Sequence, residues 1–276
     1  MKTILLLTDL SKKAENAAFY ALKLAEKTNA KIILCHSIPV KELEFAHEIE
    51  ETSPGEEAHL LSQDENGLDI LAGRLKGLVH EGGIVPDIET IIKKGDLVEN
   101  VKELIDEKDV DLIVMGAKSD DPKAFYLFGS DTFTVLENIK RPLLFIPEGC
   151  FHDTIKTILF SNDLKNKYHK AVDFLVDIAK IDESEIIIAH MGDSYNYNLE
   201  KYLDLFKNDS GYEKVSIRII PGENVPDTLR EIIPEISVDL VAMIYHEHVL
   251  YGHQIAGSRS KKMMYNHIVP LLILPD

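Results

Sequence analysis

The sequence predicts an α/β protein made of two tandem, doubly wound parallel-sheet domains. Three observations carry that reading. Short apolar runs alternate with stretches of helical periodicity. The runs are apolar at successive positions, as strands buried on both faces of a parallel sheet require. The whole alternation occurs twice, in the same order.

The duplication is read from matching segments. Thr3–Leu10 reappears as Thr157–Leu164, and Ala17 and His36 match Ala171 and His190 at the same spacing. Val110–Met115 matches Val238–Met243, Phe128-Gly-Ser130 matches Ala256-Gly-Ser258, and Arg141–Pro147 matches Val269–Pro275. The boundaries that follow are 1–150 for the first domain and 151–276 for the second. The first is longer, through an insertion at 39–67 whose nine acidic residues run from Glu42 to Glu65. That segment reads as a solvated loop or irregular insertion.

Taken in order, Ile4–Leu7 is the first strand. Asp9 and Ser11 offer N-cap oxygens to a helix whose Ala14, Ala17, Ala18, Ala21, Leu22 and Ala25 recur at helical spacing. Ile32–Cys35 is the second strand. A helix over Leu68–Val79 places Leu68, Leu71, Leu75 and Leu78 on one face. Asp87–Ile92 is a strand stopped by Gly95, Leu97–Ile105 a helix, and Leu112–Met115 a strand. Asp131–Ile139 is a short helix, and Leu143–Ile146 closes the first copy. The second copy gives strands at Ile158–Phe160, Ile186–Ala189, Val215–Ile220, Leu240–Met243 and Leu271–Leu274. Its helices are Ala171–Ala179, Leu199–Phe206 and Val225–Ile233. Strand–helix alternation of this kind calls for a parallel sheet with helices on both faces.

Composition narrows the function. A net charge of −17 disfavours nucleic acid and anionic membranes as partners. The two cysteines, Cys35 and Cys150, have no metal or disulfide spacing. No apolar stretch approaches the ~20 residues of a membrane span. A cytoplasmic protein is expected.

In open parallel sheets ligands bind beyond the carboxyl ends of the strands. There lie Thr8 and Asp9 after the first strand, and His36 and Ser37 after the second. Met115 ends the fourth, with Gly116-Ala-Lys118-Ser119 beyond it. Nine residues later, Gly129-Ser130 opens a helix that carries Thr132. A Gly-Ser step at a helix start presents unpaired N–H groups and a hydroxyl to an anion, and Lys118 adds a positive charge. Glycine here allows positive φ or close backbone approach.

At these residues the sequence resembles the universal stress protein family. Gly116, Ser119, Gly129 and Ser130 are similar to that family's Gly-x2-Gly-x9-Gly-Ser/Thr signature for ATP. Thr8-Asp-Leu-Ser11 resembles the Thr-Asp-x-Ser at the end of its first strand, and His36 the histidine that often ends its second. The resemblance covers nearly the whole chain, twice. It implies a five-stranded, Rossmann-like unit of the adenine nucleotide alpha hydrolase type that pairs through its last strand. It also implies stress-response roles and binding of ATP or AMP. By the same carry-over, Asp9 and Ser37 approach the adenine–ribose end, and Gly116, Gly129, Ser130 and Thr132 the ribose and phosphates.

The match is imperfect. Ser119 stands where the signature has its second glycine, which weakens the first site without excluding it. In the second copy the loop glycines become Ile244 and Glu247, so bulk and negative charge oppose a nucleotide there.

Other readings stand beside this one. Asp9 is also a plain helix cap, and His36 and His190 are also packed strand-end residues. Tyr245-His-Glu-His248 with His253 is a candidate metal cluster, although His246 and His248 lack the i, i+4 spacing of a helical zinc site. The functional alternatives are a tandem scaffold acting through protein or small-ligand contacts, and a slow ATPase or metal-dependent hydrolase. Turnover has the least support, since no Walker lysine motif, Ser-His-Asp set or paired-carboxylate site is present. The apolar final strands, Leu143–Ile146 and Leu271–Leu274, point to internal pairing of the copies, as a monomer or a homodimer of such chains.

Overall fold

The computed structural model describes residues 1–12, 14–39, 56–117, 130–150, 154–162, 164, 169–191, 198–220, 225–245 and 269–276. These residues form two compact units. The first takes in residues 1–116 and the stretch that ends at Leu143; the second takes in Ala117 and the stretch from Leu144 to Asp276.

In the first unit the elements are β1 (Thr3–Leu7), α1 (Ala14–Thr28), β2 (Lys31–Ile38), α2 (Glu56–Gly77), β3 (Ile88–Lys94), α3 (Leu97–Lys108), β4 (Leu112–Ala117) and α4 (Ser130–Asn138). β5 (Leu143–Pro147) follows. β1 is central, with β2 on one side and β4 on the other, and β3 lies outside β2, all parallel. The entry to β5 is tied to β4 where the Ile113 N–H donates to the Pro142 carbonyl at 3.0 Å.

Alternation along β2 and β3 sends side chains to helices on opposite faces. Thr90 reaches Asp69 of α2 at 3.3 Å, while Lys93 and Glu89 reach Glu103 and Lys108 of α3, each at 2.8 Å. The sheet is therefore wound on both sides. β1, β2 and β4 are largely buried, with Ile4, Leu5, Leu6, Ile32, Ile33 and Leu34 fully enclosed, while β3 is mostly half-buried.

The second unit repeats the plan with β6 (Thr157–Ser161), α5 (His169–Asp182), β7 (Glu185–Met191), α6 (Leu199–Ser210), β8 (Val215–Ile220), α7 (Val225–Glu235), β9 (Leu240–Tyr245) and β10 (Leu271–Pro275). β6 is central between β7 and β9, β8 lies outside β7 and β10 outside β9, all parallel. The same carboxylate closes the amino end of each sheet. Asp111 accepts from the N–H groups of Lys2 and Thr3 (3.1 Å to the latter), and Asp239 from those of Lys156 and Thr157 at 2.7 and 2.9 Å.

Two expectations need correction. The helix expected over Leu68–Val79 begins twelve residues earlier, at Glu56, so the second half of the acidic insertion is helical. Leu60 and Leu61 of that added stretch lie half-buried. β2 and β4 also run further than expected, so His36, Ser37 and Gly116 lie within strands. Residues 40–55 of the insertion lie outside the described residues.

Candidate functional site

Strand register places the site. In the first unit Leu7 is level with Cys35 on β2 and Met115 on β4. One step further, Thr8 just beyond β1 comes level with His36 in β2 and Gly116 in β4. Asp9, Ser37 and Ala117 come next.

The turn after β1 is built by side-chain oxygens. The Thr8 N–H still donates to the Cys35 carbonyl at 3.0 Å, extending the ladder. Thr8 Oγ1 accepts from the Leu10 N–H at 3.1 Å and Asp9 Oδ1 from the Ser11 N–H at 3.0 Å. Ser11 Oγ accepts from the Ala14 N–H at 3.3 Å, capping α1. Asp9 thus shapes the turn while its carboxylate faces solvent. The bond it accepts lies in the turn ahead of α1, whose first N–H is taken by Ser11, and the exposed carboxylate presents an anionic edge at the rim.

His36 Nδ1 donates to the Thr8 carbonyl at 2.8 Å, and its Nε2 lies 3.6 Å from Asp64 Oδ2 on α2. Both ring nitrogens are engaged. His190 repeats the first contact, with Nδ1 3.1 Å from the Asn162 carbonyl. Because the unit that lacks the loop glycines keeps this bond, the histidine braces the strand end in both units.

Ser37 Oγ accepts from Asn100 Nδ2 of α3 at 2.8 Å, and its own O–H remains to donate. Asn100 is buried and sits one turn into a helix capped by Asp96, which accepts from the Val98 and Glu99 N–H groups. Gly95, at φ 110°, makes the turn into that helix and donates to the Ile38 carbonyl at 2.9 Å. Met115 is buried. Gly116 has strand backbone; among the described glycines, positive φ is confined to Gly82, Gly95, Gly149 and Gly211. Left-handed backbone is therefore not the reason for a glycine there.

Ser130 opens α4, and Thr132 lies buried in its first turn at 5% exposure. Lys118, Ser119 and Gly129 fall outside the described residues, as do His246, His248 and His253. Among the described residues no cluster of three or more His, Cys, Asp or Glu could hold a metal.

The second unit differs at the same level. Ser161 of β6 is level with Met243 of β9, so Ile244 stands where the first unit has Gly116. Asn162 replaces Thr8; its Oδ1 accepts from the Leu164 N–H at 2.7 Å and the Tyr202 hydroxyl at 3.2 Å, and its Nδ2 is buried without a partner among the described residues. Asp64, Asn100 and Tyr202 carry no motif, so sequence reasoning passed over them; each acts through a fold-dependent contact between distant residues.

No helix among the described residues is long and apolar enough to cross a membrane. No curated protein matches the sequence. Among solved structures, a universal stress protein from Archaeoglobus fulgidus DSM 4304 is 19% identical, with a TM-score of 0.70, covering 99% of this chain and 96% of that one. A chain from Pseudomonas aeruginosa UCBPP-PA14 named for the same family is 15% identical, with a TM-score of 0.60, covering 100% of this chain and 93% of that one. A protein of unknown function from Pseudomonas aeruginosa PAO1 is 15% identical, with a TM-score of 0.60 and coverage of 100% and 92%. These likenesses show the fold. A sequence model described as the universal stress protein family matches residues 1–147, more than half of the chain. The chain belongs to the universal stress protein family.

Proposed function

We propose that the protein is a stress-response regulator that binds an adenine nucleotide, ATP or AMP, in its first unit. The observation that supports this most is the shared level of Thr8, His36 and Gly116, with an exposed Asp9 carboxylate and the Ser37 hydroxyl one step beyond. On this reading Asp9 and Ser37 take the adenine–ribose end. Gly116 admits the ligand close to the backbone. Lys118, Ser119, Gly129 and the opening turn of α4, with Ser130 and Thr132, take the phosphates.

The test is a thermal shift. A ligand at about a hundred times its Kd adds about 2.7 kcal/mol to folding. ATP or AMP raises the melting temperature of the wild type by several degrees, and Gly129→Glu removes that rise. Ile244→Ala leaves it unchanged. A wild-type protein unmoved by millimolar nucleotide supports the second reading, a tandem scaffold working through protein or small-ligand contacts. Ser119 in place of the signature glycine is what favours that alternative.

A further inference from the structure

β3 ends the first unit's sheet, and among the described residues no strand pairs with its outer side. Its hydrogen-bonding parity is set at both ends, by Ile32 N–H donating to the Asp87 carbonyl at 2.8 Å and Gly95 N–H donating to the Ile38 carbonyl at 2.9 Å. Odd-numbered residues of β3 therefore turn their backbone groups toward β2. Even-numbered ones, Ile88, Thr90, Ile92 and Lys94, turn theirs outward. An edge of this kind is a template for another strand.

The side chains say which strand fits. Consider a second chain's β3 laid antiparallel along this edge with a two-fold axis at Ile91. Thr90 and Ile92 then exchange backbone hydrogen bonds across the axis. Ile91 meets its own copy, and Glu89 faces Lys93 twice, in the close non-hydrogen-bonded positions. Shifting the axis to Thr90 sets Glu89 against Ile91; shifting it to Ile92 sets Lys93 against Ile91. Only the register at Ile91 pairs both charges.

Both groups are firmly ionised. Hydrogen bonds from Lys108 and Lys31 hold the Glu89 carboxylate below the usual range, and Glu103 raises Lys93 above its ordinary value. The outer edge of the second unit, β8, has no such pattern. The Ile186 N–H donates to the Lys214 carbonyl at 2.9 Å, so a two-fold pairing of β8 puts Arg218 opposite itself, Ser216, Lys214 or Ile220, never opposite a carboxylate.

We propose that β3 is a self-association edge, pairing antiparallel with β3 of a second chain through reciprocal Glu89–Lys93 contacts about a two-fold axis at Ile91. A single edge strand buries little area, so the dimer is weak and concentration-dependent.

The test is light scattering of the full chain from about 1 to about 200 µM, which spans micromolar affinities. The wild type passes from monomer to dimer. Glu89→Lys and Lys93→Glu each weaken the dimer about tenfold by setting like charges opposite, and the double exchange E89K/K93E restores it. Ile91→Cys, at a non-hydrogen-bonded position on the axis, gives a disulfide-linked dimer under mild oxidation, and Thr90→Cys does not. A wild type monomeric throughout overturns the proposal. So does a dimer indifferent to charge reversal or not restored by the exchange, or an Ile91→Cys protein that fails to cross-link. Nucleotide binding is read separately by thermal shift, so either result stands without the other.

Discussion

Six non-glycine residues among those described hold a left-handed backbone, and they fall in pairs at matching places in the two units: Leu10 and Leu164, Asn29 and Glu183, Asp109 and Ser237. Each such conformation costs roughly 1 kcal/mol or more for an L-residue. In the two pairs whose side chains differ, Asn29 with Glu183 and Asp109 with Ser237, the shared backbone path accounts for the recurrence. The buried thiols show residue chemistry overriding solution chemistry in the same way. Burial pushes Cys35 up to about 12 against a small opposing pull from Lys93, and burial likewise pushes Cys150 up to about 12. The unfolded thiol titrates near 9, so this contribution to stability is complete below that pH. It falls by about 1.4 kcal/mol per thiol for each pH unit climbed from about 9 toward about 12. In Cys35→Ala the loss of stability between pH 9 and 11 is therefore shallower than in the wild type by that amount, measured by urea unfolding at each pH. An equal slope removes the thiol from the account.

At the scale of elements, α2 shows where sequence reading fails and why. The leucine stripe from Leu68 is legible because a helix packed on a sheet needs an apolar face. The two turns and more before it are acidic and lie over the rim, where Asp64 meets His36, so no periodic stripe marks them. The strands were legible in position, because a strand buried on both faces has an apolar run. Their ends were not, since His36, Ser37 and Gly116 stay extended by ladder bonds while their side chains turn polar or vanish. Gly67 joins these two features. It sits inside α2, where glycine costs about 1 kcal/mol against alanine. A Cβ there would lie 3.0 Å from Cδ1 of Leu10, in the turn after β1. Gly67→Val therefore presses two further methyl groups into the Leu10 turn and lowers stability by about 1–3 kcal/mol. A calorimetric melting temperature at or above that of the wild type shows that α2 does not hold this turn in place.

For the molecule as a whole, the duplication was legible from matched segments alone, and the asymmetry between copies was legible as Gly116 against Ile244 and Ser119 against Glu247. Register now gives the first contrast a physical place, since Gly116 and Ile244 each follow the β4-type methionine level with the end of the central strand. The glycine carries no side chain at that level and the isoleucine carries four side-chain carbons, and Asn162 with Tyr202 replaces the simpler Thr8 turn. Removing that bulk alone does not recreate an anion site, because Glu247 still opposes phosphate charge. The proposed function therefore carries a fixed stoichiometry. Titration calorimetry with ATP or AMP gives one nucleotide per chain, and Ile244→Gly leaves it at one. Gly129→Glu takes it to zero. A value of two in the wild type means that the second unit binds despite its isoleucine and glutamate, and that backbone access at the fourth strand's end does not decide where this fold takes its ligand.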